Sequence, residues 1–359
     1  MEFIKPGINI DFIGRRRKAF FLSGSLILLT IILLLLRGGP NYGVDFAGGI
    51  LIQVRFSQPT TPNAIRDAIT SVALQGSTIQ EFGGKGKSEY LIRVNQGDVD
   101  LSVLSRQVTE SLHSAFGETS VEVRRVEMVG PKIGKDLREK ALFAIFYALL
   151  FMVIYISGRF EYKWTMSIIM AACLAFAVYT MSLLGMSVIW LIVVALLIAI
   201  GLCWFLRLEY ALGAIIALFH DVIITIGAFA LTNREVTLPV IAALLTIVGY
   251  SLNDTIVVFD RIRENNRRHR RRDFSELINQ SINETLSRTL LTSVTTLIVV
   301  AALFILGGGV IHDFAFALLV GIIVGTYSSI FVASPILLLW GAEPGKGGIG
   351  SLKKRGKGS

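Results

Sequence analysis

Two residues of opposite charge stand in apolar surroundings and define the chemistry open to this chain. Asp254 lies inside the apolar run 238–259, and Arg288 near the start of the run 286–306. A charged side chain at bilayer depth costs roughly 2.5–3.5 kcal/mol on insertion scales, so such a group faces a partner or a water-filled path. A guanidinium close by favours the carboxylate anion, whereas loss of that neighbour and of water favours the protonated acid. A carboxyl that alternates between those surroundings can carry a proton. Both residues sit near the same end of their runs, so a rise of about 1.5 Å per residue puts them at matching depth, where they can meet. The plainer alternative is a fixed ion pair that only holds two helices together.

Other polar groups share these runs. Ser251 falls on the helical face of Asp254, and Thr285, Arg288, Thr292 and Thr295 recur at i, i+3, i+7 and i+10, with Ser293 and Thr296 nearby. Hydroxyls in membrane helices commonly bond only their own helix or a neighbour, but a stripe beside a buried charge suits a hydrated proton path, with Thr292 its leading member. His220-Asp221 lies midway along the run 211–231, with Thr225 one turn on. A mid-bilayer carboxylate needs a partner, which makes Asp221 a coupling candidate; His220 reads equally as a relay or as a satisfied core histidine. His312-Asp313, at the end of a run, reads as a helix cap.

The elements that must position these groups follow from composition. Of 359 residues, 53% are hydrophobic and only 17% charged, against about 25% charged in soluble domains, so the class is a polytopic α-helical membrane protein. The net charge of +9 invites a nucleic-acid partner, but the basic residues cluster at 15–18, 261–272 and 353–355, just outside apolar runs. That is the pattern that orients a membrane protein. No nucleic acid is expected; the arginines of 267–272 suit anionic membrane lipids. Cys173 and Cys203, the only cysteines, have no metal-ligand spacing, so neither metal nor cofactor is expected. The glycine-rich stretch 83–88 resembles a phosphate loop but has Glu81 where that motif needs glycine. No nucleophile–base set suggests an enzyme. The first apolar run is too long for a signal-peptide core and reads as a retained span.

Eight runs approach the roughly 20 residues that cross a bilayer: 19–36, 140–156, 165–184, 187–206, 211–231, 238–259, 286–306 and 314–340. An even count puts both termini on one side, and the basic flanks mark that side as cytoplasmic. Residues 37–139 then form an outward, periplasmic domain. Alternation predicts strands at 49–56, 78–82, 89–94 and 120–128. Helices are predicted at 63–74, opened by Thr60-Thr61-Pro62, and at 101–116. The order β-α-β-β-α-β is the split-βαβ, ferredoxin-like α+β arrangement. Arg159-Phe160-Glu161-Tyr162 is echoed by Arg207-Leu208-Glu209-Tyr210, with two whole runs between them. Gly321 and Gly325 give the last span a close-packing face, suited to a helix interface with another chain.

Four separated segments resemble one family. They are Tyr42-Gly43-Val44-Asp45-Phe46-Ala47-Gly48-Gly49, then Arg207-Leu208-Glu209-Tyr210 leading to His220-Asp221, then the stretch 249–265 around Asp254, and Thr285-Leu286-Ser287-Arg288-Thr289. In this order they resemble the SecF side of the SecD/SecF protein-export family, within the resistance-nodulation-division superfamily. The resemblance implies a partner SecD, association with the SecYEG channel and the SecA motor, and proton influx that moves outward domains against a translocating preprotein in the bacterial inner membrane. It assigns proton coupling to Asp254 and Arg288, and marks Gly43, Asp45, Gly48 and Gly49 as the motif after the first span. The family usually has six spans, so 158–206 reads as an inserted two-span hairpin. The expected divisions are then 1–36, 37–139, 140–157, 158–206, a four-span core 207–340 and a basic tail 341–359. Ala47 stands where the family commonly has threonine. The competing function is a proton-driven exporter of small molecules or lipids, but such proteins carry far larger outward domains.

Overall fold

The computed structural model describes residues 9–70, 77–82, 88–94, 101–161, 164–183, 188–269 and 272–339. The glycine-rich loop 83–87, the end of the first predicted outward helix (71–74), Arg270, Arg271 and the basic tail lie outside those residues.

Among the described residues twelve helices and four strands succeed one another as follows. α1 (Arg16–Arg37) leads through the short α2 (Val44–Ala47) into β1 (Gly49–Phe56). Then come α3 (Pro62–Ile69), β2 (Thr78–Phe82), β3 (Glu89–Val94), α4 (Leu101–Phe116) and β4 (Val121–Val129). The long α5 (Pro131–Glu161) returns to the apolar region, followed by α6 (Trp164–Leu183), α7 (Val188–Phe205), α8 (Glu209–Thr232), α9 (Leu238–Arg268) and α10 (Phe274–Leu306). α11 (Gly309–Ser328) runs through one π turn, Ser329–Ala333, into α12 (Ser334–Leu339).

Six of these segments are long and apolar enough to cross a membrane: Arg16–Arg37, Pro131–Phe160, Glu209–Thr232, Leu238–Arg268, Phe274–Leu306 and Ile311–Leu338. The protein is therefore mostly helical and multi-pass, with one small antiparallel sheet. α6 and α7 are the two other apolar runs of the sequence, shorter as continuous apolar helix at Ile168–Ala177 and Trp190–Phe205.

The sheet is ordered β2-β3-β1-β4 with all pairs antiparallel. Period-two alternation drives Ile50, Ile52, Val54 and Phe56 onto one face, where they meet Ile65 and Ile69 of α3 and Leu104, Val108 and Leu112 of α4. α3 starts where expected: the Thr61 hydroxyl accepts from the Ala64 N–H at 3.3 Å, and Pro62 occupies the first turn. The opposite face carries charge, with Glu89 pairing Arg124 at 2.9 Å and Arg125 pairing Glu127.

The Tyr42–Gly49 segment wedges between the sheet and two helix starts. Gly48 has φ +76°, and a Cβ there would lie 2.8 Å from Pro131 Cα. From the other side, a Cβ on Gly134 would lie 3.0 Å from the Gly48 nitrogen and 3.1 Å from the Phe46 carbonyl. Backbone cannot yield as a side chain can, so Gly134→Val is expected to lower stability by about 1–3 kcal/mol, the usual cost of overpacking. Thermal melting in detergent measures this, with Gly130→Ala, whose Cβ would meet nothing within 4 Å, as the neutral control.

The echoed segments meet. The Phe160 ring stacks on Tyr210 at 5.2 Å, and Phe259 of α9 closes both edges at 5.8 and 5.3 Å. The end of α5 and the start of α8 thus lie side by side, and α6 and α7, between them in sequence, pack on the same core through Met170, Leu174, Ala195, Ala199 and Cys203.

The glycine face of α11 serves this chain rather than another. A Cβ on Gly321 would fall 2.3 Å from Ile247, and one on Gly325 would fall 2.9 Å from Ser251. Both glycines let α9 approach, so the expected interface with a separate chain is corrected to an internal one. The π turn follows directly, and Ser328 and Ser329 beside it are fully buried. Such turns inside helices frequently mark functional positions.

Candidate functional site

The polar core is built from four helices. α8 supplies His220 and Asp221, both buried, because α1, α9 and α11 pack against them. Asp221 Oδ1 lies 2.9 Å from His220 Nδ1. Its Oδ2 accepts from Ser251 of α9 at 2.5 Å and from Ser328 of α11 at 2.8 Å. His220 Nε2 lies 3.0 Å from the Ser23 hydroxyl of α1. Ser23 is 3.2 Å from the Tyr327 hydroxyl, which donates to the Ala19 carbonyl at 2.9 Å. Asp221 thus has its partners, as a carboxylate at this depth must, and they are hydroxyls and an imidazole rather than a basic side chain.

This network can hold its proton in more than one place without moving a heavy atom. With the Ser23 hydroxyl turned toward His220, the imidazole accepts at Nε2 and donates from Nδ1 to Asp221. With Ser23 turned toward Tyr327, Nε2–H donates to Ser23, and Nδ1 either accepts from a protonated Asp221 or carries a second proton. Removing one donor tests its share. Ser328→Ala is expected to cost about 1.5–3 kcal/mol, the range for a hydrogen bond to a charged group, seen as a lowered melting temperature.

Asp254 is placed differently. It is only 3% exposed, one helical turn beyond Ser251 on α9. Among the described residues its side chain has a single, long hydrogen bond, from Ser293 of α10 at 3.4 Å; Ser293 in turn lies 2.7 Å from Thr326 of α11. Among the described residues Asp254 forms no ion pair with Arg288. Arg288 stands on the exposed side of α10, beside Leu291, Thr295 and Ile298, while Thr285, Thr289 and Ser293 make the buried stripe of that helix. The expected meeting of Asp254 and Arg288 is therefore not made as an ion pair here: Asp254 is buried on α9, whereas Arg288, on the exposed side of α10, is near enough to act on it only through its charge. Thr292 is half-buried on the Arg288 side, and its hydroxyl donates to the Arg288 and Thr289 carbonyls at 3.1 and 2.9 Å. Thr292→Val removes a bond within one helix only and is expected to shift stability by less than about 0.5 kcal/mol.

At the other end of α9 the motif after the first span finds its place. Asp45 Oδ2 accepts from the Leu238 N–H at 2.8 Å and so caps the first turn of α9. Gly43 N–H donates to the Val236 carbonyl at 2.8 Å, Val236 N–H to the Asn41 carbonyl at 2.7 Å, and Tyr42 and Val236 form a parallel bridge. A Cβ on Gly43 would fall 2.7 Å from Thr237, and so glycine is needed. Ala47 is exposed. From Asp45's contact to Asp254 is 16 residues of one unbroken helix (254 minus 238), roughly 24 Å at 1.5 Å per residue.

Two arginines that sequence reasoning passed over also belong to this junction. Arg93 of β3 pairs with Glu235, in the turn between α8 and α9, and donates to the Tyr42 carbonyl at 3.2 Å. Burial pulls Arg93 down to about 10, although the nearby Asp45 carboxylate opposes this, so the guanidinium stays charged at neutral pH. Arg234 pairs with Asp313 and donates to His312 Nδ1 at 3.0 Å, and lies over the Phe316 ring at 4.5 Å. The cap expected of His312-Asp313 is corrected by this: Gly308 precedes α11 and no side chain caps it. No group of histidine, cysteine or carboxylate side chains suited to a metal occurs among the described residues.

A multi-pass protein with carboxylates locked in its helical core and a small sheet domain fastened to the core helices defines the class: a membrane transport component. Two family profiles match it, the Protein export membrane protein SecD/SecF, C-terminal, at 107–203 and 202–343, and the SecD/SecF GG Motif at 34–60. The chain is 43% identical over 348 residues to the protein translocase subunit SecF of Magnetococcus marinus, covering 96% of each. It is 40% identical to that of Vibrio alginolyticus, covering 95% of this chain and 93% of the other. The crystal structure of SecDF, a translocon-associated membrane protein from Thermus, superimposes with a TM-score of 0.67 at 31% identity. That match takes in 93% of this chain and 39% of the SecDF chain, so this chain spans about two-fifths of SecDF's length. The protein belongs to the SecD/SecF family, on its SecF side, and is a transport component rather than an enzyme.

Proposed function

We propose that this chain is the SecF-type subunit that acts with SecD to spend a proton gradient on preprotein translocation across the bacterial inner membrane, beside the SecYEG channel and the SecA motor. One observation carries the reading: a single helix, α9, holds the under-partnered Asp254 in the membrane core and has its far end capped by the sheet domain's own motif through Asp45. A change in charge at one end therefore has a rigid path to the domain at the other.

Asp254 is the carboxyl that loads and unloads, and Arg288 the basic group that approaches and withdraws. Asp221 with His220 forms a second, better-satisfied station linked to the first through Ser251 on the same helix face. Thr292 lines the Arg288 side. That side also answers where SecD sits. A guanidinium exposed at bilayer depth beside Leu291, Val294 and Ile298 is costly against lipid, and a second helical bundle with its own carboxylate or water path would cover it.

The same reading sets the organisation. The sheet order β2-β3-β1-β4, joined through α3 and α4, supports a ferredoxin-like domain 37–139. Basic residues at one end of the spans put both termini in the cytoplasm and the sheet domain in the periplasm. Eight spans are reached by counting α6 and α7, and the stacked Phe160 and Tyr210 support their insertion as a hairpin (158–206) between the second span (140–157) and the four-span core (207–340). The remaining parts are the N-terminal segment with the first span, 1–36, and the tail, 341–359.

Vesicles holding this chain with SecD, SecYEG and SecA test the proposal. Export driven by ATP should rise further when a proton gradient is imposed, and the rise should vanish with a proton carrier. An unchanged rate with and without the gradient would contradict it.

A further inference from the structure

The turn between α8 and α9, residues 233–238, is held by the sheet domain at more points than a passing loop needs. Asp45 caps α9 at Leu238, and the main chain of 41–43 pairs with Val236. Arg93, from the middle of the sheet, reaches this turn with a side chain only 6% exposed and pairs with Glu235, itself 21% exposed. A buried charge brought to a turn between two membrane helices is expensive unless it is paired there. Nothing in the sheet's own core uses Arg93: its strand neighbours Tyr90, Ile92 and Val94 fill that core from the other face. Arg37, at the end of α1, fastens the same turn through Asn233 at 2.5 Å.

We infer that the Arg93–Glu235 pair is the latch that makes the sheet domain and the start of α9 one moving body, so that displacement of α9 in the membrane is delivered to the sheet without slipping. The latch stays closed through the cycle, and Arg93 is a positioning residue. This rests on the proton-coupled reading above and adds the residues that transmit it.

The pair is testable in the full chain with SecD, SecYEG and SecA. Arg93→Gln and Glu235→Gln should each reduce the gradient-stimulated part of export by about tenfold, within the range ordinary for coupling between two sites. The part driven by ATP alone should be untouched, and each variant should melt in detergent as the parent does, which a general loss of structure would not allow. Arg93→Lys, which keeps the charge, should retain most of the stimulation. A second variant checks that the joint stays shut. Tyr42→Cys with Val236→Cys, in a chain whose Cys173 and Cys203 are replaced, joins the two bridged positions by a disulfide. Bridge partners lie within disulfide reach.

The oxidised protein should export as well as the reduced one, and should restore stimulation to Arg93→Gln. Normal stimulation in Arg93→Gln overturns the inference. So does an oxidised form that stops until reduced, since the joint would then have to open. Loss of folded protein in Arg93→Gln leaves the disulfide result to decide, because that variant keeps Arg93. Should Asp254→Asn abolish stimulation while the Arg93 variants do not, the latch alone is wrong; should neither matter, the proton-coupled reading fails as well.

Discussion

Asp254→Asn is expected to remove the whole gradient-stimulated part of export while the protein folds, inserts and assembles as before. The two halves of that expectation have separate causes. Asparagine has nearly the shape of aspartate, and Asp254 has one hydrogen bond of 3.4 Å to lose, so stability should change by no more than about 1 kcal/mol. The amide, however, cannot take up or release a proton near neutral pH. Each proton crossing about 150 mV releases roughly 3.5 kcal/mol. At about 1.4 kcal/mol per factor of ten, that biases a two-state rearrangement a few hundredfold, and all of it passes through this one carboxyl. Export into vesicles with and without a gradient, beside a melting curve in detergent, reads both halves. Stimulation that persists in the asparagine variant would leave Asp254 a structural residue.

Arg288→Leu should give the opposite sign in stability and the same loss in function. Arg288 is exposed on α10, and among the described residues it makes no ion pair. Leucine there breaks no ion pair among the described residues and relieves a charge at bilayer depth, worth roughly 2.5–3.5 kcal/mol on insertion scales. The isolated chain should therefore melt no lower than the parent. Stimulated export should nonetheless fall to the ATP-only rate, because the carboxyl loses the cation that makes its two environments different. Had Arg288 been a structural clamp, the variant would lose stability first and export only in proportion.

Much of the sheet domain was legible, and the reason is periodicity. Ile50, Ile52, Val54 and Phe56 announce one buried face by alternation, and the strands at 49–56, 78–82 and 89–94 appear where the pattern puts them. Thr61-Pro62 announces its helix by the chemistry of a cap. The intramembrane acids were legible for another reason: a carboxylate in an apolar run is rare enough to stand out by type alone. What the sequence did not disclose is azimuth. Rise per residue sets an expected depth; which way each side chain points depends on how α9, α10 and α11 pack, and Gly321 and Gly325 let α9 approach α11 without any signal of it in the positions of Asp254 or Arg288. Two hydroxyls of the His220–Asp221 network were hidden for a related cause. Ser23, which meets His220, and Ser328, which meets Asp221, stand beside other serines (Ser25 and Ser329) in long apolar helices, 305 positions apart (328 minus 23), with no spacing that marks them out. Arg93 and Glu235 were hidden by distance too, since a basic residue in a strand and an acid in a turn are ordinary until the fold joins them.

The carboxyl of Asp254 offers the most direct measurement. Infrared difference spectra of the assembled complex in vesicles, recorded as a proton gradient is imposed and collapsed, report the C=O stretch of a protonated carboxylic acid. A band that appears and disappears with the gradient, and is missing from Asp254→Asn, is the expected result. A spectrum identical in parent and variant under every gradient would mean that this carboxyl never changes its proton, and the coupling would have to reside elsewhere.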